Sequence, residues 1–519
     1  MLERSGIVEA IEERIRAYEA RPGRPREISV MALLVALLMN AEHGTLFLSS
    51  ARATLNTMTP KTRARLGVTR TSKITRRQVE ALFGLICRAI ENPGAERLAT
   101  FDQLCERLLL ASAHPETRER RDIAIDGTGI DSWGTQRAAR ARKKSKTGKK
   151  NTPVKNRATS GSKDGSKKAS KKKDDDVVLT DPDARWRGKG KDAWKRPVFG
   201  YDLTVAVTIP DPTGRPVPMA ATSMRFRPAN KDSREMALAV ATDTARDRGG
   251  LGDVLADREY TKSIDGSDFI LPLRALGAEP VFDLTRNQSG ARGTQRGAIV
   301  VDGQAYSPSL PARLRELRRP PVNATLERIQ AYQHDIALRD QYRLIPHGSR
   351  KADGSQVYQC PAAAGKLMCP LVASSLLLPL GTMPAFPPVE MPMAGSVCTR
   401  KFTTFAADEL PLSQREQYGS FEWYLSMNRR NRVEGFFGNL KDKARENLTR
   451  GTIRVRGIFK TGLLVAVAVA SVNMRLGAKW ISDAAQGTPV KKMGRPRKSG
   501  VAIYARTLAA VGANAPPGA

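Results

Sequence analysis

Two short apolar segments, each closed by an aspartate, constrain this chain more than any other feature. Asp122-Ile-Ala-Ile-Asp126 runs into Gly127 and Gly129, and Asp253-Val-Leu-Ala-Asp257 runs into Arg258. Segments this short and apolar read as buried strands, which need sheet neighbours. The residues between them supply those neighbours. Val198 to Ile209 is strand-like, Pro210-Asp-Pro-Thr-Gly214 is a turn and Val217 to Met224 is a second strand, which together predict a hairpin. Lys231 to Arg248 has helical spacing through Met236, Ala239, Val240 and Ala245, and Ala278 to Leu284 reads as one further strand. The expected class is α/β, with Asp126 and Asp257 each where a strand stops and a loop opens.

Strand, hairpin, helix, strand, connection, strand is the order of an RNase H-like domain, a mixed sheet flanked by helices. Around it the chain divides by composition. Residues 1–118 read as a helical N-terminal domain: Ile7, Val8, Ile11, Ile15 and Tyr18 recur at helical spacing, and Thr75-x-x-Gln78 is a capping box. Between Lys61 and Arg77 seven cations occur without an acid, which suits DNA binding, although an ordinary helical cap would look similar. Residues 119–284 hold the first part of the sheet domain, interrupted at 137–176 by a basic stretch. Arg137 to Lys173 has sixteen Lys or Arg against one acid, Asp164, and is expected to be a disordered loop, with order returning at Trp194. Residues 285–418 are Pro-rich, with an extended piece at Ala298–Val301 and a helical run near Ala324–Arg339, and read as an inserted domain. Residues 419–482 bring the last helices of the sheet domain, and 483–519 form a basic disordered tail.

Lys and Arg total 86 against 52 acids, a formal charge of +34 and a pI near 10.4. That balance calls for a polyanionic partner, and nucleic acid is the expectation. No signal peptide is visible, and the apolar run Leu463–Met474 is too short to span a bilayer. Five scattered cysteines do not make a disulfide framework. The chain is expected in the cytoplasm, on the nucleoid.

The segment Ser420–Arg450 carries the third carboxylate. On a helix at about 100° per residue, Arg430, Glu434, Lys441 and Arg445 fall within roughly 60° of one another, beside an apolar stripe of Val433, Phe437, Leu440 and Ala444. A carboxylate among cations suits phosphate chemistry: the cations hold a nucleic-acid backbone while the acid holds a divalent metal against it. Asp126, Asp257 and Glu434 are therefore the candidate catalytic and metal-binding set. Hard oxygen ligands suit two Mg²⁺ or Mn²⁺ ions about 3.5–4 Å apart, which activate water or a 3′-hydroxyl and stabilise the leaving oxygen. Each acid has rivals: Asp122 and Asp131, Asp253 and Asp265, Glu422 and Glu446.

These pieces resemble the DDE transposases of bacterial insertion sequences. The matching residues are Ile125-Asp126-Gly127-Thr128, Asp257-Arg258-Glu259-Tyr260 and Arg430-x3-Glu434-x6-Lys441. The last is similar to the signature Y-x2-R-x3-E-x6-K, with Met427 where tyrosine is expected and Tyr424 one turn earlier. The resemblance covers residues 120–480. It implies metal-dependent cleavage of transposon-end DNA and strand transfer into a target, by a homodimer on double-stranded DNA with no membrane partner. It also implies that Arg430, Lys441, Arg445 and Tyr260 meet DNA, with Tyr260 also supporting the surroundings of the second aspartate. A catalytically inactive DNA-binding derivative and an RNase H-like nuclease without strand transfer are the alternatives.

Two motifs lie outside this set. His347, Cys360, Cys369 and Cys398 could form a zinc site in the inserted domain, although irregular spacing without a C-x2-C pair also fits reduced cysteines. Gly494-Arg-Pro-Arg-Lys498 looks like an AT-hook core, and Pro22-Gly-Arg-Pro-Arg26 repeats it, where a turn before a helix explains it as well.

Overall fold

The computed structural model describes all residues except 20–25, 70–71, 93, 135, 139–176, 188–196, 212–215, 231–232, 322, 387–395 and 487–519. Both AT-hook-like motifs, most of the basic loop and Trp194 therefore fall wholly or largely outside the described residues. The protein is a mixed α/β structure with a six-stranded sheet.

Seven helices open the chain: α1 (Leu2–Ser5), α2 (Ile7–Tyr18), α3 (Val30–Glu42), α4 (Leu48–Thr57), α5 (Pro60–Arg65), α6 (Arg76–Glu91) and α7 (Arg97–Ser112). The capping box forms as expected: Thr75 accepts from the Gln78 amide, and the Gln78 side chain accepts from the Thr75 amide. Their apolar faces do not make a separate core. They join the sheet residues Leu203, Val205 and Phe226 in one continuous cluster.

The sheet strands are β1 (Ile123–Asp131), β4 (Arg185–Arg187), β5 (Val198–Thr208), β6 (Ala221–Pro228), β7 (Asp253–Ala256) and β8 (Glu279–Phe282). A small pair, β2 (Gln136–Ala138) with β3 (Val177–Leu179), sits apart. The order is β4-β5-β1-β7-β8, with β6 also on β5; β1, β7 and β8 run parallel, and β5 runs antiparallel to β1. Helix α8 (Ser233–Arg248) packs on β5 and β6. Three expectations change here. β1 does not stop at Asp126: its pairing with β7 ends at Ile125, but its pairing with β5 continues to Asp131. The hairpin's second strand begins at Ala221 rather than Val217, because Pro216 and Pro218 have no N–H for the ladder. The loop expected from Arg137 is already strand at Gln136–Ala138, because those backbones pair with Val177–Leu179.

After α9 (Ile270–Ala275) and β8 the chain leaves the sheet. It builds β9 (Ala291–Gln295), β10 (Ala298–Val301), β11 (Gln304–Tyr306), α10 (Leu326–Gln341), β12 (Ile345–His347), β13 (Gln356–Gln359), α11 (Val397–Arg400) and β14 (Phe402–Phe405). These form two three-stranded sheets around a core of their own that includes Val301, Tyr306, Leu344 and Phe405. The chain returns through α12 (Phe421–Asn428) and α13 (Asn431–Leu440), then α14 (Ile458–Ala485).

Helix α14 is apolar on every side from Leu463 to Val472, and such a helix needs cover all round. It lies between α3 and α7 on one side and β6 on the other. Asn473 ties it to the sheet edge, accepting from the Ala221 amide at 2.9 Å and donating to its carbonyl at 2.7 Å. Among the described residues α14 alone is long and apolar enough to cross a membrane, and most of that window is buried inside the protein.

Candidate active site

The segment carrying Glu434 is not one long helix. α12 and α13 break at Arg429–Arg430, and α13 ends at Leu440 with Lys441 as its C-cap. Gly435 and Gly438 weaken the helix, and the chain turns through Asn447 at positive φ. Val433, Phe437 and Leu440 are buried as the helical stripe required, but Ala444 is exposed. Arg445 lies past the helix end, exposed, and so does not share the Glu434 face.

At this break Arg430 reaches all three acids. Its guanidinium lies 2.8 Å from Glu434 Oε1, 3.1 Å from Asp126 Oδ2 and 3.5 Å from Asp257 Oδ2. Asp126 comes from the point where β1 loses its parallel partner, Asp257 from the first residue past β7, and Glu434 from the first turn of α13. The side chains are 20, 47 and 56 % exposed, so the cluster opens to solvent on the Asp257 and Glu434 side. Burial pushes the Asp126 carboxyl above its usual range; Arg430 and the Gly127 amide pull it down, and Asp257 and Glu434 push it up. For Arg430, burial works against the charge, but the three acids outweigh it and hold its pKa raised. Gly435 and Gly438 present bare backbone: a Cβ at either would meet nothing within 4 Å, which leaves room for another backbone to approach.

The floor of the site is apolar. Tyr260 is 3 % exposed, its ring packs 5.6 Å from Phe269, and its amide donates to the Asp257 carbonyl at 2.9 Å. Buried there, it supports the second aspartate and is not placed to meet DNA. Its hydroxyl would lie 3.2 Å from a Cβ at Gly127, a tight contact that glycine avoids where the strand passes over the ring. Lys441 donates to Thr128 Oγ1, two residues along β1 from Asp126, and burial lowers its pKa. Thr128 belongs to the motif around Asp126, but its pairing with Lys441 was not legible in the sequence.

The rival acids are engaged elsewhere. Asp122 and Asp253 pair with Arg429, which is 7 % exposed, and Glu446 is fully buried against Arg475 at 2.9 Å. Asp265 bonds within its own loop, to the Ser267 amide at 3.1 Å and to the Ser263 hydroxyl. Asp131 is at the far end of β1, and Glu422 is exposed in the first turn of α12.

Among the described residues no three or more His, Cys, Asp or Glu side chains close round a point at metal-holding distance. At the acid cluster Arg430 stands in the middle. Hard carboxylate oxygens that all lie within 3.5 Å of one guanidinium can face a common cation, and that donor set fits Mg²⁺ or Mn²⁺. Of the candidate zinc residues, Cys360, Cys369 and Cys398 are buried thiols close to one another, with Cys360 and Cys398 hydrogen-bonded side chain to side chain and Cys398 Sγ 3.7 Å from Ser307 Oγ, whereas His347 is exposed with its ring 5.0 Å from Phe402. Comparison with protein-family models gives no match, and comparison with curated proteins gives none either.

Proposed function

We propose that this chain is a DNA transposase with an RNase H-like core, cleaving transposon-end DNA and joining it to a target. The observation that carries the reading is the convergence of Asp126, Asp257 and Glu434 on one guanidinium, from two parallel strands and a helix that follows an inserted unit. The strand order supports the core assignment: an antiparallel strand beside β1, then β1, β7 and β8 parallel. Asp126, Asp257 and Glu434 would hold the divalent ions, which supply activation of water or a 3′-hydroxyl and charge stabilisation at the phosphorus.

The remaining work falls to side chains of the chain. Lys441, anchored on Thr128, holds a phosphate close to the acids. Arg430 balances the three acids, and with divalent ions held there its guanidinium would be available to the phosphate backbone. Double-stranded DNA is the partner, the basic surface supplies its general attraction, and two ends to be cut suggest a homodimer.

The test is incubation of the full chain with a supercoiled plasmid carrying its coding region and flanks, with Mg²⁺, with Mn²⁺ and with chelator. The reading expects metal-dependent breaks with 3′-hydroxyl ends and joined products, lost in Asp257→Asn and Glu434→Gln. Breaks without joined products would make it a nuclease, and binding without breaks an inactive derivative.

A further inference from the structure

We propose that DNA flanking the cleaved bond runs along β1 to a cationic and aromatic shelf of Phe47, Trp133, Arg454, Arg456 and Lys460, which grips its backbone. This rests on the reading of the chain as a DNA-cleaving enzyme.

The shelf lies where the N-terminal helices meet the loop between α13 and α14, and it borders a cleft of about 400 Å³. The Arg454 guanidinium is held between two rings, 4.7 Å from the Phe47 centroid and 5.4 Å from that of Trp133. Trp133 is 44 % exposed, a large open area for an indole. Arg454, Arg456 and Lys460 are all exposed, and no acid among the described residues forms an ion pair with any of them. Some exposed arginines elsewhere are matched by an acid, as Arg246 is with Glu106, Arg296 with Glu409 and Arg313 with Asp335. Glu80, the one acid lining the cleft, is taken by Arg76 at 2.7 Å. Three unmatched cations in one place repel one another unless a polyanion meets them. A guanidinium already stacked between rings has lost little freedom by the time it binds a phosphate, and the indole offers an apolar face to a sugar.

Position ties the shelf to the acids. Lys441 is fixed at Thr128, two residues beyond Asp126, and Trp133 follows seven residues beyond. At about 3.3 Å per strand residue the shelf is on the order of 20 Å from Asp126. That is the length of about six base pairs at roughly 3.4 Å each. Acids, Lys441 and shelf then form one line from the scissile bond to the helical N-terminal part.

The test measures binding of the full chain to duplex DNA in chelator, where nothing is cut, against salt concentration. Replacing Arg454, Arg456 and Lys460 by alanine together should reduce the slope of log K against log salt by about two to three. Trp133→Ala should weaken binding several-fold and Trp133→Phe should restore most of it. With substrates trimmed from the flank, the triple variant's defect should be full above about eight base pairs and absent below about four. An unchanged slope in a variant that melts like the parent overturns the proposal, as does a defect independent of flank length. The salt slope is read without cleavage, so it decides the shelf even if the chain proves unable to cut; normal cutting with an unchanged slope removes the shelf alone.

Discussion

The parallel pairing of β1 with β7 is flanked at each end by one aspartate from each strand, and adjacent arginines, Arg429 and Arg430, serve the two pairs. At one end Arg429 is 7 % exposed and donates to Asp122 at 2.7 Å, to the Pro210 carbonyl at 3.0 Å, to Ser426 at 2.7 Å and to Asp253. Arg415 adds a second cation on Asp253 at 2.8 Å. Two arginines there meet three acids, since Arg415 also pairs with Glu416 at 3.3 Å, so most of the charge is balanced. At the other end three acids share Arg430, at up to 56 % exposure, and its Nε has no partner. The same residue types thus make a closed joint at one end of the strands and an open, net anionic site at the other. Burial and charge balance separate framework from site, and residue identity does not. The joint also has a use: Arg429 fixes the α12–α13 break to both strands, which sets where Arg430 and Glu434 stand.

The sharpest way to break this comparison is Arg429→Met. Removing the cation leaves Asp122 and Asp253 without the guanidinium they share, and losing one partner of a buried pair costs about 3–5 kcal/mol. Denaturant or thermal unfolding should show that loss, and a variant as stable as the parent would mean the closed joint is not structural. A smaller effect is expected on the open side. Lys441→Ala should slow cleavage on the order of a hundredfold while weakening DNA binding by less than about threefold, since the other cations remain. Arg445→Ala, outside the helix and exposed, should match the parent in cleavage. Equal loss in both variants would show that the face near Glu434 is only a basic surface.

Much of this was legible because local pattern and tertiary need agreed. The apolar runs after Asp122 and at Asp253 are buried strands, and of the residues at helical spacing in α8 Met236 and Val240 are buried while Ala239 and Ala245 are half-buried. The strand end at Asp257 was readable because Ala256 is the last paired residue. The continuation past Asp126 was not, since it depends on β5, a partner some seventy residues away whose pairing leaves no local mark on Gly127 or Gly129. Arg429 was equally hidden: nothing adjacent distinguishes it from Arg430, and the partners that bury it are on other strands. The end of α13 could have been anticipated from Gly435 and Gly438, which a purely angular count of charges ignores. The inserted unit was underestimated because its strands are three to five residues long, too short for a period to show, yet they enclose a core of their own.

The open cluster, and not the closed one, is where a cation belongs. Mn²⁺ binding to the full chain, followed by calorimetry at neutral pH without DNA, tests it directly. The account predicts that Asp257→Asn and Glu434→Gln each weaken Mn²⁺ binding by at least about tenfold while their melting temperatures stay with the parent. It also predicts that Arg430→Gln, which removes the competing guanidinium, tightens binding. Binding unchanged in both acid variants, or lost in Arg430→Gln with the fold intact, would contradict it.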